Sequence, residues 1–288
     1  MVHLTTSTPE TLTTQLKIWL DGRLYDDPRQ ATIAGTDHGL LVGDGVFETL
    51  KVTEQGAFAI RRHLNRMTRS AAALGLPPPD HALFREAIAA VLENRDFALG
   101  KLRITYTGGR GPLGSETAYG PPTLMVALAP VNAAPPLTSI VTAPWRRNER
   151  GALTGVKSTS YAENVRTLRY AAERSCSEAI FLNTAGHVCE GTGTNIFLVF
   201  GDTVLTPPLS SGPLAGVTRE LIMDWSPVEE RELTLEQAKQ ADEVFLTSSM
   251  RDIQGLERWD DQTFSSARPV TQALSVTFTA RTEADLDP

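Results

Sequence analysis

The chain is poor in cysteine, in basic excess and in long apolar runs, and each shortage removes a class of protein. Only Cys176 and Cys189 occur, which supports neither a disulfide framework nor a thiolate metal site. Both read as small buried apolar residues in a reducing, cytoplasmic setting, and no metal is expected. Acids outnumber bases, 34 to 27, for a net charge of −7, whereas a phosphate-backbone binder needs a basic surface. Nucleic acid is therefore not an expected partner. No run reaches the roughly 18 apolar residues that a spanning helix requires, so no membrane partner is expected either. Residues 1–15, MVHLTTSTPETLTTQ, have neither a basic leader nor an apolar stretch and read as a disordered tail, not a signal peptide. What is present is an ordinary globular composition, 41% hydrophobic and 21% charged over 288 residues. That is enough for one large or two moderate domains.

Periodicity supplies the organisation. KIWLDGRLY (17–25) alternates around an Asp-Gly turn, a hairpin signal, and VFETLKV (46–52) reads as a strand behind a glycine-rich segment. Leu64, Met67, Ala71 and Leu74 predict a helix over 62–74, and Asp80 is a good N-cap for another. KLRITYT (101–107) and PTLMVALAP (122–130) read as strands. The Pro- and Ala-rich stretch 130–139 lacks periodicity and marks a linker between a smaller domain (1–129) and a larger one (140–288). The second half offers strands at 178–183, 195–200 and 243–247, and helices at 161–175, 218–225 and 268–283. Thr234 with Gln237 resembles a capping box for a short helix at 235–240. Without steady β-α-β alternation, two α+β domains fit better than a doubly wound sheet.

GRGPLG (109–114) satisfies a dinucleotide-binding pattern literally. That pattern needs its last glycine to open a helix holding the pyrophosphate, and here Pro112 and an extended stretch follow instead. Two readings remain: a flexible connection, or a loop that brings Arg110 to an anionic substrate.

The stretch GVKSTSYAENV (155–165) sets Lys157 before three hydroxyl residues and a helix. A lone lysine is ordinarily a solvated charge, but its company matters. Glu190 falls within an apolar stretch at the end of a short hairpin strand, where a carboxylate needs a cationic partner. SGPLAGVTREL (211–221) is a glycine-containing loop opening a helix at Val217-Thr218, an arrangement that suits a phosphate. Ser248 and Ser249 follow a strand and add hydroxyls. An amine, a carboxylate and a phosphate cradle are the three handles that pyridoxal phosphate requires.

Six blocks in order, DHGLLVGDGVFETLKV, RRHLNRMTRSAAALGL, KSTSYAENV, EAIFLNTAGHVCEGTGTNIFLV, LTPPLSSGPLAGVTRELI and ADEVFLTSS, resemble the class IV aminotransferases from about residue 17 to 256. These are fold type IV pyridoxal phosphate enzymes that include branched-chain and D-amino acid transaminases and 4-amino-4-deoxychorismate lyase. The resemblance implies an α+β chain of two domains with the cofactor in the interdomain cleft, and a homodimer whose substrate residues are completed across subunits. It implies that Lys157 forms the Schiff base, Glu190 partners the pyridine nitrogen, and Arg66 takes the phosphate with Val217, Thr218 and Ser249. Phe47 would line the pocket, and Arg110 would grip the substrate carboxylate.

The reaction implied moves an amino group between an amino acid and a 2-oxo acid, with Lys157 as the base, its pKa lowered by burial. Branched-chain members carry F-E-G-x-R where this chain has Phe47-Glu48-Thr49-Leu50-Lys51. They also carry a tyrosine five residues after the lysine, where this chain has Ala162, with Tyr161 one position earlier. Both departures favour D-amino acids over branched-chain substrates and leave the lyase and an (R)-amine transaminase as alternatives.

Overall fold

The computed structural model describes residues 16–288; the tail expected over 1–15 lies outside the described residues. It divides into two compact units. The first comprises residues up to Asn132 together with Lys157–Ser160 and Leu286–Pro288, and the second comprises Ala133–Val156 and Tyr161–Asp285.

In the first unit, β1 (Lys17–Leu20) and β2 (Arg23–Tyr25) pair around Asp21-Gly22. Both turn residues have positive φ, which is why Asp-Gly closes this hairpin. A single helical turn, α1 (His38–Leu41), precedes β3 (Gly45–Thr53) and β4 (Gly56–Ala57). Two helices follow, α2 (Ile60–Ala73) and α3 (His81–Leu92), then β5 (Gly100–Thr107) and β6 (Thr123–Pro130). The sheet order is β2-β1-β6-β5-β3-β4, antiparallel throughout. Alternate residues Val46, Leu50, Val52, Leu102, Ile104, Val126 and Leu128 are buried on one face, with Leu64 and Met67 of α2 and Phe84 and Ile88 of α3 also in the core. Asp80 caps α3 as expected, accepting from Ala82 and Leu83 N–H.

The second unit opens on a strand that the sequence reading did not foresee. β7 (Leu137–Arg147) begins inside the stretch taken as a linker, so residues 137–139 are strand. Its run of Val141, Ala143, Pro144 and Trp145 among polar residues lacks clean alternation, and its pairing with β8 shifts register between Thr142 and Arg146. Helix α4 (Ala162–Ala172) is shorter than expected, stopping ahead of Ser175, which adopts positive φ. Then come β8 (Glu178–Asn183), β9 (Val188–Gly191), β10 (Asn195–Phe200), β11 (Thr203–Thr206), α5 (Val217–Trp225), β12 (Glu229–Glu230) and α6 (Leu235–Ala238). The chain ends with β13 (Glu243–Ser248), β14 (Asp252–Trp259), β15 (Gln262–Thr263) and α7 (Pro269–Ala284). The sheet order is β12-β11-β10-β13-β14-β7-β8-β9, with β15 on β14. It is mixed: β7 runs parallel to both β8 and β14. Ile140, Ile180, Ile196, Leu198, Val244, Leu246 and Trp259 form its core. The capping box of Thr234 and Gln237 is present.

Candidate active site

Lys157–Ser160 adds to the edge of β3 by a short β-bridge, Val46 opposite Ser158. Phe47 N–H donates to Lys157 C=O at 2.9 Å, and Thr159 N–H donates to Gly45 C=O at 2.8 Å. The Thr159 and Ser160 hydroxyls both donate to Gly43 C=O, at 2.9 and 3.1 Å. Gly43 has φ +71°, and a Cβ there would lie 2.4 Å from Ser160 Oγ, so only glycine fits beneath the hydroxyls. Lys157 N–H in turn donates to Ser70 Oγ on α2 at 3.2 Å. The lysine backbone is thus held on two sides, which fixes where its side chain starts. Its Nζ lies 4.4 Å from the Phe47 ring centroid, and the Arg103 guanidinium lies 3.8 Å from the same centroid.

Arg66 is buried on α2, not displayed on the surface. Its Nε donates to Glu48 Oε1 at 2.8 Å and its Nη2 to Oε2 at 2.6 Å, a two-point grip on a fully buried carboxylate. His63 Nδ1 lies 2.6 Å from the same Oε2. Burial raises the Glu48 pKa, but the Arg66 charge and hydrogen bonds, followed by those of His63, overcome it and hold the carboxyl down to about 2. Burial lowers the His63 pKa; Glu48 opposes this, and the charges of Arg66 and Lys157 add to the lowering. The four residues Lys157, Phe47, Arg66 and Glu48 therefore form one linked set in the first unit. Arg110 is not part of it. It is exposed on the loop after β5, its C=O taking Tyr119 and Gly120 N–H, and its guanidinium makes no hydrogen bond among the described residues. No helix follows Gly114, in keeping with rejection of dinucleotide binding.

In the second unit Glu190 stands on β9. Its Oε2 accepts Leu214 N–H at 2.9 Å, and its Oε1 lies 3.4 Å from Arg147 Nε. Arg147 is the cation that the carboxylate needed, and it is itself held by Glu163, by Asn164 Oδ1 and over the Phe181 ring. Asn164 Nδ2 donates to Thr192 C=O at 2.6 Å, and the Tyr161 hydroxyl donates to the same oxygen at 3.1 Å. Thr192 N–H and hydroxyl both reach buried Glu178, whose pKa burial raises against those hydrogen bonds. Val217 and Thr218 are the first two residues of α5, both buried. Gly216 is the N-cap and no side chain caps this helix start. A Cβ at Gly216 would lie 1.9 Å from Asn195 Oδ1, so the loop packs too closely there for a capping side chain. Ser249 follows β13 in the turn beginning at residue 249.

Glu48, His63, Ser70, Arg147 and Leu214 were not singled out from the sequence. One signal was available: His63, Arg66 and Ser70 recur at i, i+3 and i+7, a polar stripe beside the apolar Leu64, Met67 and Ala71. Arg147 had no such signal, since it is one of two adjacent arginines on a strand with irregular pattern.

The first unit thus offers an amine on a pinned backbone, and the second offers a carboxylate carrying a cation and an amide N–H and an uncapped helix start with a hydroxyl, each a kind of group that pyridoxal phosphate requires. The profile of amino-transferase class IV matches residues 45–259, and the chain belongs to that family, whose enzymes use pyridoxal phosphate. It is 33% identical over 253 residues to a putative branched-chain-amino-acid aminotransferase of Methanocaldococcus jannaschii, covering 83% of this chain and 86% of that one. It is 30% identical to a bifunctional aminodeoxychorismate lyase / D-amino acid transaminase of Mycobacterium tuberculosis, covering 72% and 76%. A hypothetical aminotransferase from Mycobacterium tuberculosis, solved in its PLP-bound form, superposes with a TM-score of 0.81 at 26% identity, covering 92% of this chain and 98% of that one. The fold is accordingly that of fold type IV, and amino acids and 2-oxo acids are the substrates of the family's transaminases. No described helix is long and apolar enough to cross a membrane.

Proposed function

We propose that this chain is a transaminase that favours D-amino acids over branched-chain L-amino acids, with Lys157 as its catalytic amine. The observation that carries the catalytic part is the double anchoring of the Lys157 backbone, by Ser70 and Phe47, which places one amine beside the Phe47 ring. Pyridoxal phosphate, when bound, supplies an aldehyde for amine exchange and a ring that accepts electrons. Lys157 Nζ would hold that aldehyde and would serve as the base that moves the proton at the substrate α-carbon. Glu190, backed by Arg147 and Leu214 N–H, would keep a proton on the ring nitrogen. Arg66, the α5 start at Val217 and Thr218, and Ser249 would take the phosphate.

Substrate preference rests on the pocket strand. Phe47, Thr49 and Lys51 share one face of β3, so the second and third of these stand where branched-chain members carry glycine and arginine. Lyase activity is the second reading, favoured by Tyr161 four residues after Lys157 and by the bifunctional relative; an (R)-amine transaminase is a third. We further propose a cytoplasmic homodimer in which Arg110 grips the substrate carboxylate. Leu113 and Tyr119 on its loop are 81% and 73% exposed, apolar surface that a second copy would cover.

The test is a half-reaction. Holoenzyme is mixed separately with D-alanine, L-leucine, an (R)-amine and aminodeoxychorismate while the cofactor absorbance is followed. Stable conversion by D-alanine alone is expected; conversion by L-leucine but not D-alanine would reverse the preference. Reaction with aminodeoxychorismate only, releasing pyruvate while the absorbance recovers, would establish the lyase.

A further inference from the structure

Of the buried Glu48, His63 and Arg66 cluster, the proposed chemistry uses Arg66 and leaves Glu48 and His63 without a direct role. Glu48 is fully buried, and Arg66 and His63 are nearly so. A buried ion pair is poor evidence of stability, because apolar residues of similar volume often serve as well. What such a pair does supply is direction. A guanidinium can grip anions bidentately along two edges, and Glu48 occupies the Nε/Nη2 edge. The Nη1/Nη2 edge is therefore turned away from Glu48 in one fixed orientation. His63 engages Glu48 Oε2 as well, so the carboxylate cannot swing. Both His63 and Arg66 project from α2, three residues apart, which ties the cluster to one rigid element.

We propose that Glu48, steadied by His63, is a positioning residue that presents the Nη1/Nη2 edge of Arg66 to the cofactor phosphate. The inference rests on the reading in which Arg66 takes that phosphate. It makes a prediction opposite in sign to simple electrostatics. Removing an anion beside a phosphate site should tighten phosphate binding through charge alone, whereas loss of positioning should weaken it.

The experiment titrates full-length apoenzyme with pyridoxal phosphate and with unphosphorylated pyridoxal, following absorbance. The two share aldehyde and ring, so the ratio of their dissociation constants isolates the phosphate handle. Arg66→Ala must collapse that ratio; if it does not, Arg66 holds no phosphate and both the reading and the inference fall. With that control met, Glu48→Gln is expected to lower the ratio about tenfold, the scale of one charge-assisted hydrogen bond, with pyridoxal affinity little changed. Equal weakening of both ligands, an unchanged ratio, or tighter pyridoxal phosphate binding would overturn the positioning role while leaving Arg66 as a ligand. Arg66→Lys gives an independent check should Glu48→Gln fail to fold. A point charge lacks the fork but still attracts phosphate, so it is expected to keep only part of the ratio; a wild-type ratio would overturn the proposal.

Discussion

Each unit sets an arginine against a glutamate, and the two pairs are built differently. In the first unit Glu48 grips Arg66 at two points, 2.8 and 2.6 Å, with the carboxylate fully buried. In the second, Arg147 meets Glu190 at 3.4 Å, and each side chain keeps some exposure, 15% and 13%. The roles are also exchanged: the arginine is the proposed cofactor ligand in one, the glutamate in the other. The tighter, buried pair serves a charge that must point in one direction. The looser pair serves a carboxylate already oriented by Leu214 N–H, where the nearby arginine adds charge more than geometry.

The largest effect tests which unit carries the reacting amine. Lys157→Ala should reduce single-turnover transamination by about 10²–10⁴-fold or more, the range for loss of a positioned acid–base group; turnover close to wild type would remove Lys157 from the chemistry. Next comes the contrast between the pairs. Glu48→Ala removes the carboxylate from a buried guanidinium and should cost about 3–5 kcal/mol in urea unfolding followed by circular dichroism. Arg147→Ala, at a partly exposed pair, should cost about 1 kcal/mol. Equal losses would erase the distinction drawn here.

Acid sharpens the same contrast. The Glu48 carboxyl is held below its ordinary value, so its contribution to stability is complete above about pH 4.3 and is lost as pH falls toward about 2. The His63 pKa is also lowered, so the unfolded chain takes up a proton below about pH 6.5 that the folded chain resists, and stability begins to decline there. Melting temperature should therefore fall in two stages on acidification, and His63→Gln should remove the earlier one; a single stage in both proteins would show that His63 does not couple to folding. The smallest effect belongs to Ser70. Ser70→Ala should cost about 1 kcal/mol and speed hydrogen exchange at the Lys157 amide, measured by mass spectrometry. Unchanged exchange would mean that the bond to Ser70 does not hold the lysine backbone.

Local signals were legible where local physics decides. The Asp-Gly hairpin, the Asp80 cap, the Thr234 capping box and the helical spacing of Leu64, Met67 and Ala71 all depend on residues within one or two turns of each other. The early end of α4 and the strand β7 were not legible. The first depends on backbone at Ser175 with positive φ, and the second on pairing with β8 and β14, which lie far along the chain from this weakly patterned strand. At the candidate site the lysine, the glutamate and the helix start were marked by their sequence blocks. Their supports were not, because Arg147 and Glu190 meet only when β7 and β9 both flank β8 in one sheet.

By itself the sequence determined the chemistry available: one amine in a run of hydroxyls, a carboxylate within an apolar hairpin, a glycine loop before a helix, and the family to which those blocks belong. Only the tertiary structure decided that Lys157–Ser160 leaves the second unit to pair with β3, that Ser70 and Phe47 hold the lysine backbone, and that Arg66 turns inward to a buried glutamate. The reason is physical. Residue type and spacing set what a side chain can do and the period on which it recurs, but a backbone group satisfied by a distant strand, or a charge tolerated only because its partner is buried beside it, exists only once the remote segments have packed.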